Sequence, residues 1–284
     1  MKKFLSLVKF SHTIFALPFA IIGFFLAVKV HGYSFSWQKF LLVLGCMVTA
    51  RNAAMGFNRY IDRSIDAKNP RTVIREIPAG VISEQQALLF IIVNVVAFII
   101  LTFFINRICF FLSPIALLVI LGYSYTKRFT ALCHLILGIG LALAPIGAYL
   151  AVSGKFHLLP ILFSFIVFTW VSGFDIIYAL QDKSFDQTHH LHSIPSYFGE
   201  NKALLISTIL HILSAAITIF VGFYGHLGMY YYFGAALFCI LLFYQHTLVK
   251  PNDLSKVNLA FFTTNGVASV IFATLFLIEV FLHG

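Results

Sequence analysis

Between residues 10 and 281 the chain is a near-continuous succession of apolar stretches, each about 20 residues long and separated by short polar segments. A helix rises 1.5 Å per residue, so about 20 residues cross a hydrocarbon layer about 30 Å thick. The stretches fall at 10–30, 38–60, 86–105, 108–125, 131–152, 158–180, 203–223, 229–249 and 258–281. Composition agrees with a membrane setting. Hydrophobic residues make up 60% of the chain and charged residues 10%, where a soluble domain carries roughly 25% charged residues. Unpaired strand edges are excluded from lipid, and the short alternating segments of a closed barrel are missing from the sequence. The expected fold is therefore all-α: nine transmembrane helices in a single membrane-embedded domain over 1–284. The start, MKKFLSLVKF, has the basic flank of a signal peptide. The apolar run behind it is too long and lacks a small-x-small cleavage site, so it reads as a retained first helix.

Lysine and arginine set the expected orientation. With the N-terminus inside, only Lys29, Lys39, Arg107 and Lys155 fall outside, Arg51 lies within a helix, and the other basic residues are cytoplasmic. That bias predicts the N-terminus inside and, after nine spans, the C-terminus outside. It also accounts for the formal net charge of +9 without nucleic acid, and it suits anionic lipid or a phosphorylated ligand. Cys46, Cys109, Cys133 and Cys239 lie inside apolar runs without CxxC spacing and read as small core residues, neither disulfides nor metal ligands.

The aspartates are what the apolar pattern does not explain. Five of six stand at two helix ends: Asp62 and Asp66 in NRYIDRSID, and Asp175, Asp182 and Asp186 in FDIIYALQDKSFDQ; Asp253 is alone in a loop. Asp62 and Asp66 recur at one offset as Asp182 and Asp186, and Tyr178 falls where Asn58 stood. Each copy is followed by an Ile-Pro step (Ile77-Pro78, Ile194-Pro195) and a glycine (Gly80, Gly199). The pattern predicts a parallel duplication of two four-helix units plus one extra helix.

Carboxylates four apart on a helix are neighbours on one face, and two of them at a helix C-terminus repel each other and oppose the dipole. Magnesium suits such a place, because it takes oxygen ligands from one or two carboxylates and completes its shell with water and phosphate. The plainer alternative is a solvated acidic end paired with Arg63, Lys68 or Lys183. Asn58, one turn before Asp62, offers a neutral oxygen to the metal or a helix–helix hydrogen bond. Lys68, Arg71 and Arg75 in AKNPRTVIREIPAG, with Lys127 and Arg128 in YSYTKRFT, could face a magnesium-bridged diphosphate. Each alone is also what cytoplasmic loops carry. Arg51, about two turns deeper than Asn58, needs a partner in apolar surroundings: a bound organic carboxylate, Asp175 or a backbone carbonyl. His189, His190 and His192 are a polar loop cluster or, less in keeping with hard oxygen sites, a zinc site. No Ser-His nucleophile, GxGxxG or P-loop pattern stands at a helix end. An ion-coupled transporter is the competing class, though it predicts acids near the bilayer midplane and not beside basic loops.

NRYIDRSID, then AKNPRTVIREIPAG, YSYTKR, DIIYALQDKSFD and HSIPSYFG, resemble the UbiA-type family of membrane aromatic prenyltransferases, in particular its 4-hydroxybenzoate polyprenyltransferase branch. The resemblance runs from about residue 10 to the last helix. It implies nine helices around a central cavity open to the cytosol and laterally to lipid, in a bacterial cytoplasmic membrane. It implies Mg2+ held by Asn58, Asp62, Asp66, Asp182 and Asp186, with Asp175 joining the catalytic carboxylates. Lys68, Arg71, Lys127 and Arg128 then serve the polyprenyl diphosphate, and Arg51 the aromatic acid acceptor. The implied reaction joins the prenyl group to 4-hydroxybenzoate or a similar acid in quinone synthesis. Two positions depart from relatives. Arg59 replaces the aspartate of many ubiquinone-pathway members, as in members assigned to futalosine-route menaquinone synthesis, whose acceptor is 1,4-dihydroxy-6-naphthoate. His190 stands where glycine is common.

Overall fold

The computed structural model describes residues 2–8 and 16–283. Lys9 and the first residues of the expected 10–30 span lie outside the described residues. The helices are α1 (Lys2–Leu7), α2 (Leu17–Phe25, continued with π winding over Leu26–Val30), α3 (Trp37–Ile61), α4 (Arg63–Asp66), α5 (Glu84–Ile105), α6 (Arg107–Thr126) and α7 (Cys133–Ser153). They continue as α8 (Leu158–Ala179), α9 (Lys183–Thr188), α10 (Ile194–Phe198), α11 (Glu200–Tyr224), α12 (Met229–Leu248) and α13 (Asn265–Leu282), the last preceded by a π-wound Leu259–Thr264. Among the described residues no strand forms; Lys250 and Asp253 make one isolated bridge.

Polar caps set where the apolar runs begin. Ser36 accepts a hydrogen bond from the Lys39 amide at the start of α3, and Ser83 and Gln86 form a reciprocal capping box on α5. Asn106 caps α6 through the Cys109 amide, 2.9 Å away, and its Nδ2 donates to the Leu150 carbonyl at 2.8 Å, tying α6 to the far end of α7.

Eight of the nine expected spans are helical elements long and apolar enough to cross a membrane. The first is a shorter apolar helix over Leu17–Val30, so the count of nine crossings is not reached among the described residues. Successive helices pack as spatial neighbours from α3 through α5, α6, α7 and α8 to α11, α12 and α13; α2 lies against α13 and α7. Close approach of α2 to α7 requires Gly23, where a Cβ would stand 2.0 Å from the Pro145 carbonyl oxygen. Small residues take the place of hydrophobic driving force at such contacts. We expect Gly23→Ala to destabilise the fold by about 1–3 kcal/mol through overpacking, read as a lower melting temperature of the detergent-solubilised protein.

The core is aromatic and off-centre. Phe19, Phe163, Trp170, Tyr231, Phe238, Phe272 and Phe276, all fully buried, join α2, α8, α12 and α13. Trp170 donates its indole N–H to Asn265 Oδ1 at 2.8 Å, the partner a buried indole requires. Many other phenylalanines face outward, among them Phe103, Phe111 and Phe223. On the other side α3, α5, α6, α7 and α8 surround a cavity of about 680 Å³.

Candidate active site

Each aspartate motif interrupts the helix that carries it. α3 ends at Ile61, and Asp62 (φ −90°, ψ 5°) leads into α4; α8 gives way to a 3-10 turn over Leu180–Asp182, and Asp182 (φ −100°, ψ 1°) leads into α9. The four-residue spacing predicts one helical face for each pair. The backbone takes a near-identical turn at both first aspartates, and the Asp66 amide still reaches the Asp62 carbonyl, 2.7 Å away.

All four motif carboxylates meet a cation. Arg128 Nη2 donates to Asp62 Oδ1 at 2.9 Å, and Asn58 Nδ2 to Asp62 Oδ2 at 3.1 Å. Arg75 Nη1 lies 2.7 and 2.8 Å from the two oxygens of Asp66. Arg71 forks onto Asp182, with Nε 2.9 Å from Oδ1 and Nη2 on Oδ2, while its Nη1 donates to the Tyr178 hydroxyl at 2.9 Å; Asn69 adds a hydrogen bond to Asp182 Oδ1. Lys127 Nζ is 2.7 Å from Asp186 Oδ1, and the Ser193 hydroxyl donates to Asp186 Oδ2 at 2.9 Å. Burial pushes the Asp62 carboxyl above the usual carboxylate range; Arg128 opposes this and Asp66 adds to it. A carboxylate so placed gains most from added positive charge.

Asn58, Asp62, Asp66, Asp175 and Asp182 line the cavity with Arg51, Arg71, Arg75, Lys127 and Arg128. Asp186 is fully buried behind Lys127 and is not on the wall. Lys68 is exposed and also off the wall, whereas Arg75, from the same loop, faces inward. Arg51 lies deeper, towards the apolar walls formed by Val43, Met47, Ile105 and Leu112. All four cysteines are free.

Asp175 stands apart from the motif carboxylates. Its Oδ2 is 2.6 Å from His134 Nδ1, and His134 Nε2 accepts from the Ile194 amide at 3.3 Å. An acceptor at Nε2 leaves Nδ1 as the donor, so the imidazole holds Asp175 through Nδ1–H. Sequence reasoning missed His134. Its signal was a lone titratable residue in the first turn of an apolar run, directly after the basic YSYTKRFT loop.

His189 stacks on Phe185 with ring centroids 4.0 Å apart. Among the described residues, no group of three or more His, Cys, Asp or Glu is arranged as a ready metal cluster, and the histidine loop is not one. His190 has φ 53°, the left-handed region that glycine occupies without strain and histidine visits more often than most residues. The backbone form suited to glycine is thus kept by a histidine.

The family model of the UbiA prenyltransferase family matches residues 16–267. A 4-hydroxybenzoate octaprenyltransferase of Tolumonas auensis is 29% identical over 242 residues, covering 85% of this chain and 84% of that protein. The apo structure of a UbiA homolog from Aeropyrum pernix K1 superposes with a TM-score of 0.85 at 29% identity, over 94% of this chain and 98% of its own. A UbiA homolog from Archaeoglobus fulgidus, bound to DMAPP and Mg2+, has the same fold with a TM-score of 0.75 at 19% identity, covering 99% of each chain. The match runs through both aspartate motifs and the helices that carry them, and the chain belongs to the UbiA prenyltransferase family, an integral-membrane prenyltransferase.

Proposed function

We propose that the chain transfers a polyprenyl group from a polyprenyl diphosphate to a hydroxylated aromatic carboxylic acid of the 4-hydroxybenzoate kind, with Mg2+ as cofactor. The observation that carries this reading is the clustering of Asp62, Asp66 and Asp182 on the wall, with Asp186 behind Lys127, among four cations of a largely apolar cavity. That division matches a substrate with a charged head and a hydrocarbon tail. The name of the Tolumonas auensis relative and the DMAPP and Mg2+ in the Archaeoglobus fulgidus homolog support it.

Donor chemistry fits magnesium. Asp62, Asp66 and Asp182 on the wall, with Asn58, offer hard oxygens only, Asp186 would join them where Lys127 moves off it, and burial, which disfavours the charge on Asp62, favours a cation beside it. When bound, the metal would neutralise diphosphate charge as the allylic C–O bond breaks. Arg71, Arg75, Lys127 and Arg128 exchange their carboxylates for phosphate oxygens as substrate enters, and they stabilise the departing pyrophosphate, which keeps the bonding electron pair. Lys68, exposed beside the mouth, attracts the diphosphate from solution. Arg51 orients the acceptor carboxylate. The allylic carbon bonds to a ring carbon next to the hydroxyl, and Asp175, held by His134, takes the proton that this carbon loses. Apolar walls exclude water that would otherwise capture the allylic cation.

The paired turns at Asp62 and Asp182 support a parallel internal duplication within a single domain. The basic bias supports a bacterial cytoplasmic membrane with the N-terminus inside, the C-terminus outside and the charged end of the cavity towards the cytoplasm. Arg59 favours a second acceptor, 1,4-dihydroxy-6-naphthoate, for the same chemistry. Pyrophosphate release tests the reading: it is expected only with magnesium, prenyl diphosphate and an aromatic acid together, and to stop on chelation. Transport would give none.

A further inference from the structure

Arg59 occupies the last turn of α3, 6% exposed, on the cavity wall between Asn58 and Asp62. Among the described residues it makes no hydrogen bond or ion pair, and its Nε and Nη1 are buried without a partner. The charged groups around it are Asp66, Glu76 and Arg75. Both oxygens of Asp66 already accept from Arg75; Glu76 accepts from the Ser6 hydroxyl at Oε1, and its buried Oε2 makes no hydrogen bond to Arg59 or to any other of the described residues. Arg71, Arg75, Lys127 and Arg128, the other cations at this end of the cavity, each hold a carboxylate. Arg59 does not.

A helix C-terminus favours a cation, but the dipole supplies no hydrogen bonds to a buried guanidinium. Burying a charge is costly unless it is paired and hydrogen-bonded. What the cavity lacks for Arg59 is a planar oxyanion, because the guanidinium fork matches carboxylate or phosphate oxygens two at a time.

We propose that Arg59 binds an oxyanion of a substrate, either the acceptor carboxylate or a phosphate of the prenyl diphosphate. The identity of the substrates rests on the prenyl-transfer reading; the need for an anion rests on the geometry of Arg59 alone. The two sources differ in consequence. A carboxylate on Arg59 places the acceptor ring near the motif turn at Asp62, while a phosphate leaves Arg51 as the acceptor's cation.

The test uses the detergent-solubilised full chain and its Arg59→Met and Arg59→Lys variants. Binding of inorganic pyrophosphate, with magnesium, and of 4-hydroxybenzoate is measured by calorimetric titration, with melting temperatures recorded without ligand. Arg59→Met is expected to weaken one of the two anions at least 10-fold and to melt no lower than wild type, since a buried guanidinium without hydrogen bonds has gone. Loss confined to 4-hydroxybenzoate assigns the carboxylate; loss confined to pyrophosphate assigns the phosphate. Unchanged binding of both anions, or no binding of either by wild type, overturns the proposal, as does a lower melting temperature with binding intact, the signature of a structural residue. If Arg59→Met does not fold, Arg59→Lys decides: it keeps the charge without the fork, and must weaken one anion at least threefold. Anion binding through Arg59 without any prenyl transfer would remove the catalytic reading and leave this assignment standing.

Discussion

Asp62→Asn is expected to lower prenyl transfer at least about 100-fold, the scale of removing one preorganised electrostatic group, while the protein inserts and folds as before. Asparagine keeps the shape of the side chain, and its one amide oxygen can keep the Arg128 hydrogen bond of 2.9 Å; its amide nitrogen then faces Asn58, which lies 3.1 Å from the other carboxylate oxygen and whose side-chain amide can turn its own oxygen to accept. What it loses is the negative charge proposed to hold a metal beside Asp66. The measurement is initial rate against magnesium concentration in membranes holding equal amounts of each protein. Normal rates in Asp62→Asn would defeat the assignment of this motif to the metal.

Arg71→Ala is expected to cost a comparable factor, for a different reason. Arg71 reaches across the mouth from the loop after the first motif to the second motif, gripping Asp182 with two nitrogens and the Tyr178 hydroxyl with a third. Its removal takes away a proposed phosphate ligand and also leaves buried Asp182 with only Asn69 and the more distant Lys127. Lysine cannot reproduce the fork, so Arg71→Lys should recover little activity. Michaelis constants for the prenyl diphosphate separate the roles: a rise in KM with kcat held marks binding of the diphosphate head, and a fall in kcat marks stabilisation of the leaving group. Activity within twofold of wild type in both variants would remove Arg71 from the machinery.

The carboxylates were legible because an apolar chain makes each acid conspicuous and because their spacing repeats. Which cation meets which carboxylate was not. Arg71 pairs with Asp182, Lys127 with Asp186 and Arg128 with Asp62, contacts between residues far apart in sequence that depend on how the helices circle the cavity. The same holds for His134 and Asp175, joined across α7 and α8. Hydrophobic length placed eight of the spans within a few residues, since lipid thickness fixes it. It could not foresee the local breaks in α-helical geometry at Asp62 and Asp182. Lys68 and Arg75 show the remaining limit. Both are basic residues of one loop, and only the fold turns Arg75 inward.

The most direct measurement is transfer of a labelled polyprenyl group in membranes containing this protein, with magnesium, offering 4-hydroxybenzoate and 1,4-dihydroxy-6-naphthoate together. Prenylated 4-hydroxybenzoate is the predicted product, and prenylated naphthoate would select the second acceptor for the same chemistry. If neither acid is labelled and the prenyl diphosphate stays intact while the protein is inserted, the proposed transfer to an aromatic acid is contradicted.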